Sequence, residues 1–206
     1  MLSKTFWPKD FSERDEAIVW KIIQASMPED PSRFETFRVL EWGSGSGTAH
    51  WAYLIDKEVN RRGLNPNGIQ FVSVEHNRQW RDGAQAMLGQ LALDISASVR
   101  LRGDKEPTPV NSHGKEVPGD AYVRFNDQEM IDAPDVIIVD GRRRRECLIQ
   151  AKRYIYWNGW VILHDAQRDY YHCALKEYPH GWFIGDALWV GRVTPYEGRV
   201  LPWLLQ

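Results

Sequence analysis

Three glycines alternate with serines in Gly43-Ser44-Gly45-Ser46-Gly47. They follow an apolar run that ends in Glu41-Trp42 and precede a helical pattern starting near Thr48. Glycine permits positive φ and lets a ligand approach the backbone closely, and a helix start offers N–H groups without partners. Glu75 ends the next apolar run, the place from which a carboxylate accepts two hydrogen bonds from ribose hydroxyls. Gly103-Asp104 closes the third run, where a side chain could receive an adenine amino group. The loop is not the dinucleotide G-x-G-x-x-G, because Thr48 stands where its last glycine belongs. Without a Gly-Lys-Ser/Thr end it is not a nucleoside-triphosphate loop either.

A second group of chemically capable residues comes later. Asp140-Gly141 ends one apolar run and His164-Asp165 ends another; both residue types serve general acid–base work. Four arginines, Arg142 to Arg145, follow Gly141 at the start of a predicted helix. Cations there oppose the helix dipole, by roughly 0.3–1 kcal/mol each, so the run calls for an anion: Asp140, a bound ligand's carboxylate, or an anionic acceptor such as a uronic acid or phosphorylated sugar. His164 and Asp165 are neighbours, and in an extended strand neighbours point to opposite faces. At most one of them is expected to face a reacting group.

The elements that must carry these groups alternate. Strands are expected at 38–43, 69–75, 98–103, 134–141, 159–165, 181–185 and 187–193. Helices are expected at 13–26, 48–60, 77–91, 143–157 and 168–177. This predicts an α/β fold: a Rossmann-like, doubly wound, seven-stranded sheet, mostly parallel with an antiparallel edge, helices on both faces. Residues 1–206 read as one domain with an N-terminal helical segment, 1–35, and a loop insertion at 105–126. That loop holds three prolines and lacks helical periodicity. It reads as a lid over the ligand edge, with a surface insertion as the alternative and Tyr122 to Phe125 as a short strand within it.

Composition narrows the partners. Against 28 acidic side chains stand 26 basic ones, for a net charge of -2, which gives no general attraction to nucleic acid or an anionic membrane. No apolar run approaches the roughly 20 residues of a membrane span. The polar N-terminus lacks the apolar core of a signal peptide, and two cysteines suit a reducing compartment, so a cytoplasmic protein is expected.

The pattern E-x-G-x-G-x-G with an acid at the next strand end resembles class I S-adenosylmethionine-dependent methyltransferases. LEWGSGSGTAHWA, SVEHNRQW, VDGRRRRECLIQA and GWVILHDAQRDYY are together similar to a subgroup of small methyltransferase-like proteins distantly related to plant glycan methyltransferases. The resemblance spans about residues 36–193, with Ser46-Gly47 replacing the commoner Gly-Ser order. It implies that Glu41, Gly43, Ser44, Gly45 and Gly47 surround the amino acid part of S-adenosylmethionine, that Glu75 holds the ribose, and that His76 and Asp104 lie at the adenine. Trp80 either stacks near that adenine or packs its helix.

Methyl transfer to a hydroxyl needs a base. Asp140 is the first choice for base or acceptor orienter, followed by Asp165 and His164. Arg142, Arg144, Arg168, Tyr171 and Tyr122 are expected to bind the acceptor, a small or saccharide-like and anionic molecule. Cys147 reads as a packing residue. Asp140 and Asp165 also resemble two ligands of metal-dependent O-methyltransferases. Ala166 stands where those enzymes have a ligating Asn, so a divalent metal is not expected. The competing readings are a cofactor-binding module without activity, a nucleic-acid methyltransferase, and a nicotinamide oxidoreductase. The sequence gives no sign of the oligomeric state.

Overall fold

The computed structural model describes residues 11–31, 35–104, 117–124 and 133–196. Helix α1 (Glu13–Ser26) leads into β1 (Phe37–Trp42), α2 (Ser46–Arg62), β2 (Ile69–Glu75), α3 (Arg78–Gly89) and β3 (Ser96–Leu101). A single turn, α4 (Asp120–Val123), precedes β4 (Val136–Val139), α5 (Arg144–Tyr154), β5 (Trp160–His164), the short α6 (His172–Leu175), β6 (His180–Ile184) and β7 (Leu188–Arg192). The seven strands run in the order β3-β2-β1-β4-β5-β7-β6. All pairs from β3 to β5 are parallel; β7 lies antiparallel between β5 and β6. The expected fold class is the observed one.

The central strands are apolar on both faces because helices cover both. Neighbouring residues therefore enter opposite cores. Val39, Ile138 and Ile162 pack beneath α1, α2 and α3, while Leu40, Ile137 and Leu163 pack against α5, α6 and Tyr122. Helix α1 contributes Ile18, Val19, Ile22 and Ile23 to the first core. Its first turn is capped by Ser12, whose Oγ accepts the Asp15 N–H at 3.1 Å. The buried Asp15 carboxylate in turn accepts the N–H groups of Asp186 and Ala187 at 2.7 and 3.0 Å, which fastens α1 to the β6–β7 turn.

Chain order reverses between β1 and β4, which opens a crevice at their carboxyl ends. There Gly43 sits at φ +100°, and a Cβ on it would lie 2.4 Å from the Gly141 Cα. Only a glycine-to-glycine contact lets the two loops meet this closely.

Two local expectations change. The strand expected around Tyr122 is instead the turn α4: Arg124 N–H donates to Asp120 O at 2.8 Å, and Trp42 Nε1 donates to Tyr122 O at 3.0 Å. The expected helix at 168–177 is a 3₁₀ turn, Asp169–Tyr171, followed by α6. Residues 105–116, 125 and 126 of the expected lid lie outside the described residues. Among the described residues no helix is long and apolar enough to cross a membrane.

Candidate active site

A cavity of about 1430 Å³ runs along the carboxyl edge from the glycine loop to the ends of β4 and β5. At one end Glu41 is buried at the end of β1, and its Oε2 accepts hydrogen bonds from Ser73 Oγ (2.5 Å) and Thr48 Oγ1 (2.6 Å). Burial pushes its carboxyl up to about 8, against the pull of those two hydrogen bonds. Thr48 Oγ1 also accepts the Gly45 N–H at 2.9 Å, so one hydroxyl ties the glycine loop to the acid. Gly45 borders the cavity, and a Cβ there would meet nothing within 4 Å.

Glu75 stands opposite. Its Oε2 accepts the Ser44 N–H at 3.1 Å, and its Oε1 accepts those of His76 and Asn77 at 2.9 and 2.8 Å. Three backbone bonds fix the carboxylate while leaving lone pairs for a ligand. His76, Asn77 and the exposed Trp80 continue this wall. Asp104 does not border the cavity; Arg78 Nη2 holds its Oδ2 at 2.7 Å. Buried Trp51 Nε1 has no hydrogen-bond partner among the described residues, and its ring lines the same space. A donor in that state leaves an acceptor to be supplied by a ligand. Carboxyl groups, a free indole N–H and a cradle open at Gly45 are what an adenosyl amino acid would need, and the residues present fit it.

At the other end, His164 Nδ1 lies 2.9 Å from Asp140 Oδ1. Burial would lower the imidazole, but the hydrogen bond and charge of Asp140, aided by the charge of Asp165, outweigh it and hold His164 above its ordinary value. Asp165 does not turn away from His164. It sits at φ 57°, and the break in the strand brings its carboxylate beside the pair: ligand atoms of Asp140, His164 and Asp165 lie within 4.8 Å of one another. Strand alternation ends where the extended backbone ends. Arg143, at φ 51°, makes the matching break before α5. Each left-handed residue costs about 1 kcal/mol or more.

Those two breaks bring Arg144 against both carboxylates. Its Nη2 reaches Asp140 Oδ1 at 2.9 Å and its Nη1 reaches Asp165 Oδ2 at 3.0 Å. The guanidinium also donates to the carbonyls of Gly141 (2.9 Å), His164 (2.6 Å) and Asp140 (2.8 Å). Four hydrogen bonds and the ion pair to Asp140 commit most of the guanidinium to the protein, although Arg144, expected to bind the acceptor, borders both this cavity and a smaller neighbour. The anions that the arginine run called for are mostly the protein's own. Arg143 joins Asp120 at 2.9 Å, and Arg168 joins Asp165 at 2.7 Å. Exposed Arg142 borders both the large cavity and a neighbouring one of about 220 Å³, which Arg168, Tyr170 and Tyr171 also line.

For Tyr122 the expectation is corrected. It is fully buried, its hydroxyl lies under Gly141, and it does not border the cavity. Cys147 is buried, and burial pushes its thiol up, as a packing residue requires. The sequence carried no signal for Phe11, whose ring stacks on His164 with centroids 4.0 Å apart. His50, which pairs with Glu16 at 2.8 Å, had one: positions 47, 50 and 51 share a helix face.

The cluster of Asp140, His164 and Asp165 has the reach of a metal site, but its chemistry does not fit one. Both carboxylates already face guanidinium groups, Arg144 on each and Arg168 on Asp165.

No family model and no curated protein sequence matches this chain. Solved structures do match. A methyltransferase-like protein of Silicibacter pomeroyi is 20% identical, with a TM-score of 0.57 over 97% of this chain and 96% of that one. A SAM-dependent O-methyltransferase of Thermotoga maritima is 12% identical, with a TM-score of 0.56 over 93% of this chain and 69% of that one. A SAH-bound methyltransferase of Podospora anserina is 13% identical, with a TM-score of 0.54 over 90% and 80%. At these identities the likeness establishes the fold, that of Rossmann-like methyltransferases.

Proposed function

We propose that the protein is an S-adenosylmethionine-dependent methyltransferase that methylates an oxygen of a small or saccharide-like, anionic acceptor. The observation that carries this reading is one cavity that joins the Glu41–Glu75 end to the Asp140–His164 pair. Glu41 would face the ammonium group of the methyl donor, Trp51 Nε1 its carboxylate, Glu75 the ribose and Trp80 the adenine. When bound, S-adenosylmethionine supplies an electrophilic methyl carbon. His164 would take at Nε2 the proton that the acceptor hydroxyl loses on methylation. Asp140 holds Nδ1 and balances the charge that forms on the ring. The order among the three candidate bases therefore changes: His164 accepts the proton and Asp140 orients it. Arg142 and Arg168 rim the second cavity and suit a carboxylate or phosphate on the acceptor. Two cysteines without a disulfide fit a cytoplasmic setting.

The test is calorimetry with S-adenosylhomocysteine, followed by a methyl-transfer screen of uronic-acid and phosphorylated saccharides. Binding lost in Glu75→Ala supports the reading, and transfer lost in His164→Asn places the base. No binding to the intact protein would overturn it.

A further inference from the structure

We infer that Arg144 is the resident cation of this site, its guanidinium taking the place that a divalent metal would hold between Asp140 and Asp165. The inference rests on the reading of this cluster as the reaction centre, but its test does not depend on methyl donor or acceptor. Two strand-end carboxylates and a histidine within 4.8 Å of one another make a constellation that suits a hydrated divalent ion. In this chain one oxygen of each carboxylate, Asp140 Oδ1 and Asp165 Oδ2, meets Arg144 at 2.9 and 3.0 Å.

The guanidinium is not a loose counter-ion. Three backbone carbonyls, of Asp140, Gly141 and His164, anchor it at 2.6 to 2.9 Å, and its side chain is 11% exposed. Tyr171 covers it, with the ring centroid 5.7 Å from the guanidinium carbon. Left-handed backbone at Arg143 and at Asp165 brings the two ends together, one break on each side of the ion pair. With Arg168 also on Asp165, two carboxylates meet two cations, and the cluster has no negative charge left to attract a third.

The consequence is a division of work. A metal would both hold the carboxylates and offer an open coordination position to the acceptor oxygen. Arg144 does the first and cannot do the second, since a guanidinium has no coordination position to offer, and four hydrogen bonds and an ion pair already tie it to the protein. It is a positioning residue: it fixes Asp140, which fixes His164.

Titration of the intact protein with Mn²⁺, followed by electron paramagnetic resonance, tests this directly. The wild type should leave the spectrum of the free aqua ion unchanged. Arg144→Met should gain one bound Mn²⁺ per chain, and the double variant Arg144→Met/Asp165→Asn should lose it. Arg144→Lys, which restores a cation, should again bind none. Wild-type binding of one Mn²⁺ that Asp165→Asn abolishes would overturn the inference. So would an Arg144→Met protein that is folded by circular dichroism yet binds no ion. Should that variant fail to fold, the wild-type titration alone still decides, silence supporting the inference. S-adenosylhomocysteine binding, measured separately, tells a failure of the methyltransferase reading from a failure of this one.

Discussion

The ring of Phe11 lies over the imidazole of His164, with centroids 4.0 Å apart and planes 17° from parallel. Phe11 immediately precedes the α1 cap, Ser12, and α1 is fastened through Asp15 to the β6–β7 turn. Docking of the first helix thereby delivers an aromatic wall to the Asp140–His164 end of the cavity. Phe11→Ala would expose the imidazole to water. Burial is the largest influence on His164 and pulls its pKa down, so relieving it should raise that pKa further. Proton NMR titration of the His164 ring measures this, and an unchanged or lowered value would show that Phe11 does not shield it.

On the proposed reading, Glu41 would link cofactor binding to pH. Its carboxyl, pushed up to about 8 by burial, is mostly protonated at neutral pH in the free protein. An ammonium group placed against it would favour the carboxylate and expel the proton. S-adenosylhomocysteine affinity should then rise by nearly tenfold per pH unit between about 6 and 7.5 and level off above about 8. Calorimetry in buffers of different ionisation enthalpy should register one proton released. Stability of the free protein runs the other way. A raised carboxyl stabilises the fold fully below its ordinary value of 4.5, and that stability is lost as pH rises through about 8, on the order of 5 kcal/mol in all. Glu41→Gln should flatten both curves.

Much of this arrangement is legible in the sequence. Both-face burial makes the strands continuous apolar runs, so β1, β2, β4 and β5 lie where the runs lie, and their carboxyl ends carry Glu41, Glu75, Asp140 and His164 as the pattern requires. What fails is whatever depends on a departure from regular backbone or on a distant partner. Asp165 joins His164 because its φ is positive, which strand periodicity cannot foresee. Arg144 looks available until five acceptors from two strand ends converge on it. Tyr122 looked like a loop residue, but a turn sends it into the core. Phe11 and His164 meet only through the docking of α1. Among the tryptophans the same rule holds: Trp42, Trp160 and Trp189 are buried, whereas Trp80 stays exposed at the cavity wall.

Two glycines of the loop should respond in opposite ways. Gly45 has extended backbone and open space where a side chain would go. Gly45→Val should therefore cost the fold no more than a cap change, about 1 kcal/mol, while filling the cradle and abolishing S-adenosylhomocysteine binding. Gly43 has φ +100° and would drive a Cβ into the Gly141 backbone. Gly43→Ala should destabilise the protein by about 2–3 kcal/mol or more, through strain and overpacking together. Urea unfolding beside calorimetry separates the two effects; a Gly45→Val protein that binds normally would show that the cradle lies elsewhere.

The Asp140–His164 pair makes the sharpest prediction about pH. Asp140→Asn removes the hydrogen bond to a carboxylate and the charge that raise the imidazole; burial, the largest influence, and Arg144 still lower it, against the smaller upward pull of Asp165. The His164 pKa should fall below its ordinary 6.5. The rising limb of the pH–rate profile should move to lower pH with it, while the maximal rate drops by up to about 10²–10⁴-fold, the usual worth of a positioned base. Stability should show the same reversal. With its pKa raised, His164 stabilises the fold fully below 6.5, and this is lost as pH rises through the folded value. With its pKa lowered, the neutral ring is the favoured form, and stability grows with pH up to 6.5. Because the charge of Asp140 also raises Glu41, the comparison is made in a Glu41→Gln background: subtracting the urea-unfolding free energies of Asp140→Asn from those of its Asp140 parent, pH by pH, leaves the contribution of His164. A difference that decreases as pH rises through neutrality is expected; a flat difference would mean that Asp140 does not hold the proton on His164.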